Sequence, residues 1–276
     1  QKVYSQELTA ALLKGREVIE SGGTALDVVT TVIAFLEDCP LFNAGRGAVF
    51  TAEGTNELDA SIMDGRSGNA GAVAGVTTIK NPIMAARLVM EKSPHVMLAG
   101  RGAEEYADLN RLDIVDPDWF HTEKQWQSFI NKREQLDKDG TVGVVCLDKE
   151  GNLAAGTSTG GMTMKRYGRI GDSPIIGAGT WAENGVCAIS CTGHGEYFIR
   201  NAVAHDIAAR IRYKGSSLND ASDAVINGVL KKQKANGGLI AVDHKGNVAM
   251  AFNTSGMFRG VIKSDSTIQV MIFDNE

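Results

Sequence analysis

The stretch Gln135-Leu136-Asp137-Lys138-Asp139-Gly140-Thr141-Val142-Gly143-Val144-Val145-Cys146-Leu147-Asp148 changes character at its middle. Residues 135–140 are polar and turn-rich, which makes them the best linker candidate in the chain. Residues 141–148 then read as an apolar strand. Lys149-Glu150-Gly151-Asn152 turns that strand, and 153–158 returns. The same phrase recurs as Leu239-Ile240-Ala241-Val242-Asp243, His244-Lys245-Gly246-Asn247 and Val248-Ala249-Met250. Two Asp-x-x-Gly-Asn hairpins between small apolar strands predict a central antiparallel sheet. A calcium loop is not expected, because the further carboxylates of an EF-hand are missing.

Outward from this centre, Leu8, Leu12 and Ile19, then Leu26, Val29, Val32, Ile33 and Leu36, recur at helical spacing. They predict helices over 5–20 and 24–37, with Gly22-Gly23 between them and Pro40 closing the second. Residues 56–63 alternate like a half-buried strand, turned by Asp64-Gly65, with 70–79 as its partner. Pro82 suits the first turn of a helix over 82–92. Further helices are expected near 103–109, 123–135, 196–212 and 217–232. Helices before the linker and between the hairpins favour helix layers on both faces of two stacked sheets.

Composition excludes several classes. The 276 residues include 43% hydrophobic and 22% charged, a globular balance that argues against disorder. A net charge of −5 with scattered Lys and Arg gives no nucleic-acid surface. No apolar run has the length of a membrane span and residues 1–15 lack a signal-peptide core, so a cytoplasmic location is expected. Cys39, Cys146, Cys187 and Cys191 are too irregularly spaced for a disulfide framework or a zinc site, and read as small core residues. The 32 glycines, many within 140–195, suggest tight turns and backbone that approaches a ligand closely.

Four constellations could carry chemistry. A threonine at a chain N-terminus carries its own base, the α-amine, whose pKa of ~7.7–8.0 suits proton transfer near neutral pH. Thr141 is internal, so this chemistry needs the Gly140–Thr141 bond cut first. A competing nucleophile is Ser158, because Gly156-Thr157-Ser158-Thr159-Gly160 matches Gly-x-Ser-x-Gly. That elbow must run into a helix, and the glycine-rich 161–172 does not read as one. Met162 also stands where a Walker lysine would be needed. Arg169 and Asp172, flanking Ile170-Gly171, could clamp the carboxylate and ammonium of an α-amino acid, or could be a surface ion pair. Thr192-Gly193-His194-Gly195 leaves a strand for a helix, and its N–H groups with the Thr192 hydroxyl could form an oxyanion hole. His194 reads as a loop histidine, since an amine base leaves it no required role.

Together, Gly140-Thr141-Val142-Gly143, Thr157-Ser158-Thr159-Gly160-Gly161, Gly168-Arg169-Ile170-Gly171-Asp172-Ser173-Pro174 and Thr192-Gly193-His194-Gly195-Glu196 closely resemble the plant-type L-asparaginase/isoaspartyl aminopeptidase family. The resemblance extends to Phe42-Asn43-Ala44-Gly45-Arg46-Gly47, Leu58-Asp59-Ala60-Ser61-Ile62-Met63-Asp64-Gly65, Ala86-Arg87-Leu88-Val89-Met90-Glu91 and Gly237-Gly238-Leu239-Ile240, nearly the whole chain. It implies an α+β fold, the αββα sandwich of N-terminal-nucleophile hydrolases, with two mainly antiparallel sheets between helix layers. It implies one domain over 1–276, self-cleaved into 1–140 and 141–276, and two such units in the active assembly. The implied reactions are hydrolysis of L-asparagine to aspartate and ammonia and cleavage of β-aspartyl dipeptides, through an acyl-enzyme on Thr141.

By the same resemblance Thr159 tunes the nucleophile, Asn43 lies behind it, and Thr192 with Gly193 supplies the oxyanion hole. Arg169 and Asp172 hold the substrate, in a pocket that also includes Ile170, Gly171, His194 and Gly195. No cofactor is implied for the chemistry. A structural sodium ion is implied on the main-chain carbonyls of Leu36, Glu37, Cys39, Phe42, Ala44 and Arg46, with potassium left open; carbonyl oxygens suit a hard monovalent cation. Neither a nucleic-acid nor a membrane partner is implied. Alternatives are a glycosylasparaginase-like hydrolase, from which Gly161 points away because Asn is typical there, a Ser158 hydrolase, and an uncut amino-acid-binding relative. Family members begin with a strand and a His-Gly-Gly motif and carry a longer linker before Thr141. Such segments are expected to lie outside the sequence at hand, since losing an inner strand would leave neighbouring backbone groups unpaired.

Overall fold

A computed structural model of the chain describes residues 1–132 and 140–273. The end of the helix expected at 123–135 and most of the expected linker, 135–139, lie outside these residues. The first half supplies α1 (Lys2–Glu20), α2 (Ala25–Asp38), β1 (Leu58–Asp64), β2 (Ala70–Val76), α3 (Pro82–Lys92), β3 (Met97–Ala99), α4 (Gly100–Leu109) and α5 (Glu123–Lys132). The second half supplies β4 (Val142–Leu147), β5 (Leu153–Thr159), β6 (Thr180–Glu183) and β7 (Cys187–Gly193), followed by α6 (Gly195–Asn201), α7 (Val203–Lys214) and α8 (Leu218–Asp223). It ends with β8 (Gly237–Asp243), β9 (Val248–Ala249), β10 (Arg259–Ile262) and β11 (Ile268–Met271).

Local chemistry accounts for several boundaries. Thr24 and Asp27 form a reciprocal capping box that starts α2. Pro82 occupies the first turn of α3, where a missing N–H costs nothing. In both Asp-x-x-Gly-Asn turns the Asp carboxylate collects the turn's amides. Asp148 Oδ1 accepts from Glu150 N (3.1 Å) and Asn152 N (2.8 Å), and Asp243 Oδ1 from Lys245 N (2.8 Å) and Asn247 N (2.9 Å). The two antiparallel hairpins fall in different sheets, one in each of the two stacked sheets expected from the element order. One sheet has the order β3-β2-β1-β5-β4 and the other β6-β7-β8-β9. All pairings are antiparallel except β2 with β3, and β10 and β11 form a separate ribbon.

Helices α2 and α3 cover the outer face of the first sheet, and α7 and α8 that of the second, while β5 and β4 pack on β6, β7 and β8. The result is an αββα sandwich. One core lies under each helix layer, and a smaller one of Met63, Leu153, Ala155, Ala182, Ala188 and Val242 lies between the sheets. This layering corrects the expectation for β1. The strand is buried on both faces, Asp59 and Ser61 included, because the second sheet covers the side that alternation assigns to water. Cys187 and Cys191 are buried as expected, whereas Cys39 and Cys146 are only partly so.

The helix expected over 196–212 is broken. Ala202 takes a left-handed conformation (φ 46°, ψ 51°), and the next turn donates Ala204 N to Ala178 O (3.2 Å) and His205 N to Gly177 O (2.9 Å). The helix expected over 217–232 starts on a Ser217 cap and widens after Asp223 into a π-helix, Ala224–Leu230. No helix among the described residues is long and apolar enough to cross a membrane.

Candidate active site

Between the sheets, side chains change along the strands from apolar to polar. On β5 the inward positions run Leu153, Ala155, Thr157, Thr159, and on β7 they run Ala188, Ser190, Thr192. Thr157 Oγ1 lies 2.6 Å from Thr180 Oγ1 and 2.7 Å from Ser190 Oγ, and Ser61 Oγ donates to Ser173 O (2.6 Å) and Thr180 Oγ1 (2.8 Å). These hydroxyls bond one another in a buried layer, as buried polar groups must. They lead to the end of the sheet at which Thr141 enters β4.

Thr141 Oγ1 donates to Thr159 Oγ1 at 3.3 Å. Thr159 Oγ1 in turn accepts Gly161 N (3.0 Å) and donates to the Gly140 carbonyl (3.4 Å). Asn43, in the loop after α2, completes the group. Its Nδ2 donates to Gly140 O (2.8 Å) and Gly161 O (2.7 Å), while its Oδ1 accepts Val49 N (3.0 Å), which locks the amide. The carbonyl of the Gly140–Thr141 bond therefore faces two donors, and the Thr141 hydroxyl lies beside them.

Ser158 points the other way. Its buried hydroxyl donates to Glu37 Oε1 (2.6 Å) under α2, and the strand runs on to Thr159 without entering a helix. The geometry of a nucleophile elbow is absent there. Burial pushes the Glu37 carboxyl up to about 8, against the pull of the Ser158 and Ile83 hydrogen bonds.

Arg169 and Asp172 do not pair with each other in the way a simple surface ion pair would. Arg169 holds Glu196 of α6 in a two-pronged contact, Nε to Oε1 at 2.9 Å and Nη2 to Oε2 at 3.1 Å. That bond holds the Glu196 carboxyl below its usual range. Asp172 is buried, and its Oδ2 has no hydrogen-bond partner among the described residues. Desolvation pushes its carboxyl up to about 7, with the Arg169 charge opposing. The two groups meet at Gly195, where a Cβ would lie 2.8 Å from Arg169 Nη2 and 2.9 Å from Asp172 Oδ1. Ile170 and Gly171 continue this loop, Ile170 being partly exposed. His194 accepts Asn236 N at 3.4 Å and donates its own N–H to Asn236 O at 3.0 Å, and neither bond reaches Thr141. Glu196 stood next to the quoted Thr-Gly-His-Gly motif, but its role as partner of Arg169 carries no signal in spacing.

The loop after α2 curls tightly. Any Cβ on Gly45 would overlap the Glu37 carbonyl, and one on Gly47 the Phe42 carbonyl. Leu36 O, Phe42 O and Ala44 O each accept a backbone N–H from within the loop. Among the described residues no three His, Cys, Asp or Glu side chains are grouped to hold a metal.

Two facing sheets under outer helix layers, with a threonine heading the edge strand β4 of one of them, define the N-terminal-nucleophile hydrolase architecture. The family model described as "Asparaginase" matches residues 1–272, and the chain belongs to that family. It is 51% identical to the "Isoaspartyl peptidase" of Escherichia coli, across 93% of this chain and 84% of that protein. It is 44% identical to the "Probable isoaspartyl peptidase/L-asparaginase 2" of Arabidopsis thaliana, across 99% and 93%. With the "Isoaspartyl peptidase/L-asparaginase" of Rattus norvegicus the identity is 38%, across 96% and 81%.

Proposed function

We propose that this chain cleaves its own Gly140–Thr141 bond and then hydrolyses L-asparagine and β-aspartyl dipeptides with Thr141. The observation that carries the reading is the Gly140 carbonyl, held by Asn43 Nδ2 at 2.8 Å and Thr159 Oγ1 at 3.4 Å beside the Thr141 hydroxyl. Attack of Thr141 Oγ on the Gly140 carbonyl carbon puts charge on an oxygen already facing the Asn43 amide. Collapse breaks the C–N bond and leaves an ester, and water then releases the Gly140 carboxylate and the Thr141 amine. The freed α-amine is the base that takes the hydroxyl proton in each later turnover.

In the mature site, Arg169 holds the α-carboxylate of the substrate and Asp172 its α-ammonium, with Ile170, Gly171, His194 and Gly195 forming the surrounding loops. Thr192 and Gly193 face the developing oxyanion from β7. Acyl transfer to Thr141 expels ammonia or an amino acid, and water hydrolyses the resulting ester to aspartate. The segments 1–140 and 141–276 stay together because β4 and β5 share a sheet with β1, which supports a single domain. The assembly of two such units is carried over from the resemblance, as is a sodium ion on the carbonyls of residues 36–46. The test is a denaturing gel of wild type beside Thr141→Ala, followed by ammonia release from asparagine. Wild type is expected to split into halves of roughly 15 kDa, at ~110 Da per residue. One band that persists through long incubation, with no ammonia formed, overturns the reading.

A further inference from the structure

Asp59 is fully buried in β1, and register places it directly opposite Thr159 on β5. Val142 of β4 stands opposite Ser158, so Thr141 falls beside Thr159 one step further on. Alternation turns all three inward, because Ser61, two residues from Asp59, reaches Thr180, and Thr157, two from Thr159, reaches Ser190. Asp59, Thr159 and Thr141 thus form a row across three neighbouring strands.

One carboxylate oxygen of Asp59 has a structural task. The β1–β2 register slips between Leu58 and Ala60, and Gly75, at φ 62°, turns its amide out of the ladder onto Asp59 Oδ1 at 2.8 Å. The other oxygen, Oδ2, is buried with no hydrogen-bond partner among the described residues. Leaving such an acceptor unmatched is costly. The charges that act on it are the Lys165 ammonium, itself bonded to Glu57 O (2.9 Å) and 3.6 Å from the Glu57 carboxylate, the Arg169 guanidinium, and Glu57 itself. Asp172 also acts, from the loop beyond. Directly opposed residues of an antiparallel pair hold their Cβ atoms about 4.5–5.5 Å apart, close enough for a carboxylate to take a threonine proton. In the uncut chain that proton points instead to Gly140 O, at a long 3.4 Å.

We propose that Asp59 is a positioning residue of the mature site. Once the Gly140–Thr141 bond breaks and the Gly140 carbonyl leaves, the Thr159 hydroxyl donates to Asp59 Oδ2, and its lone pairs are fixed toward the Thr141 hydroxyl and amine. Asp59 therefore serves turnover and not self-cleavage. This inference rests on the hydrolytic reading above.

Asp59→Asn separates the two tasks, since the amide oxygen still accepts Gly75 N while Nδ2 offers Thr159 a donor in place of an acceptor. Cleavage of the variant is expected within about twofold of wild type on a gel time course. Its kcat on a β-aspartyl dipeptide should fall by about tenfold to a hundredfold, the scale of one charge-assisted hydrogen bond, with KM changed less than about threefold. Ser61→Ala, on the same face, controls for damage to β1 and should lower Tm without lowering kcat. Unchanged turnover in a cleaved Asp59→Asn protein overturns the proposal. So does a variant that fails to fold, or loses cleavage and turnover together, because Asp59 then only holds the bulge. A wild type that cleaves neither substrate refutes the hydrolytic reading itself, which is a separate outcome.

Discussion

The two halves of the candidate site are built by different means. The half around Thr141 stands on paired strands, where register sets each hydroxyl beside the next and Asn43 is locked by bonds at both ends of its amide. The half formed by 169–172 and 192–195 joins a loop to the end of β7 and the start of α6. There a charged pair is packed against a glycine, and one carboxylate oxygen is buried without a partner among the described residues. A ladder gives precision, because its register fixes the neighbouring side chains before any ligand arrives. A loop holding an unsatisfied carboxylate lowers stability, and in the proposed function that carboxylate is the group that meets the substrate ammonium. In the function proposed above, chemistry falls to the rigid half and recognition to the loop half.

Substitution at Thr141 tests the rigid half with the largest effect. Thr141→Ala should leave the chain in one piece and reduce turnover by on the order of 10⁴-fold or more, as loss of a nucleophile does. Ser158→Ala, one residue from Thr159 but on the opposite face of β5, should keep kcat within a few-fold. Its cost belongs to stability, about 1–2 kcal/mol for the buried hydrogen bond to Glu37. Parallel gels, urea melts and ammonia assays separate the two. Equal losses of turnover in both variants would erase the distinction between the faces of β5.

Much of the rigid half was legible in the sequence, because it follows from alternation and turn chemistry. The strand 142–147, its return at 153–159 and the Asp-x-x-Gly-Asn turns declare themselves locally. Two stacked sheets were expected, but local reading did not show that β1 would be covered by the second sheet. It buries Asp59 and Ser61, which in a half-buried strand would face water, and so it hid the one carboxylate in line with the threonines. The break at Ala202 was equally invisible, since alanine carries no preference for a left-handed turn and tertiary bonds to Gly177 and Ala178 impose it. In the loop half, Arg169 and Asp172 were conspicuous as opposite charges, but the orientation of Arg169 by Glu196 depends on where α6 begins.

Smaller effects probe the loop half. In Gly195→Ala the new Cβ would press on Arg169 and Asp172, so KM for a β-aspartyl dipeptide should rise by about tenfold or more while self-cleavage is unchanged. Asp172 also sets a pH dependence. Its carboxyl is raised to about 7, so below that pH it is increasingly neutral and attracts an ammonium less. KM should therefore climb as pH falls through 7, approaching about tenfold per unit, and Asp172→Asn should bind weakly at every pH and flatten the profile. A KM independent of pH in wild type would show that the loop carboxylate does not meet the ammonium.

Glu37 supplies the matching test for the rigid half, with the smallest effect. Like Asp172 it is buried, has one oxygen unpartnered among the described residues and has a raised carboxyl, here to about 8, but it lies under α2 on the far side of β5. A carboxyl bound more tightly to its proton in the folded state contributes stability that is full below its unfolded value, near 4.5, and lost as pH rises through 8. Glu37→Gln keeps an oxygen for Ser158 and Ile83 N and cannot ionise, so its unfolding free energy relative to wild type should improve steadily between pH 5 and about 8. Urea midpoints across that range measure the trend, while KM at each pH should match wild type. If instead KM moved with Glu37 and stability did not, the two buried carboxylates would have exchanged roles, and the division between a rigid catalytic half and a loop half that binds would fail.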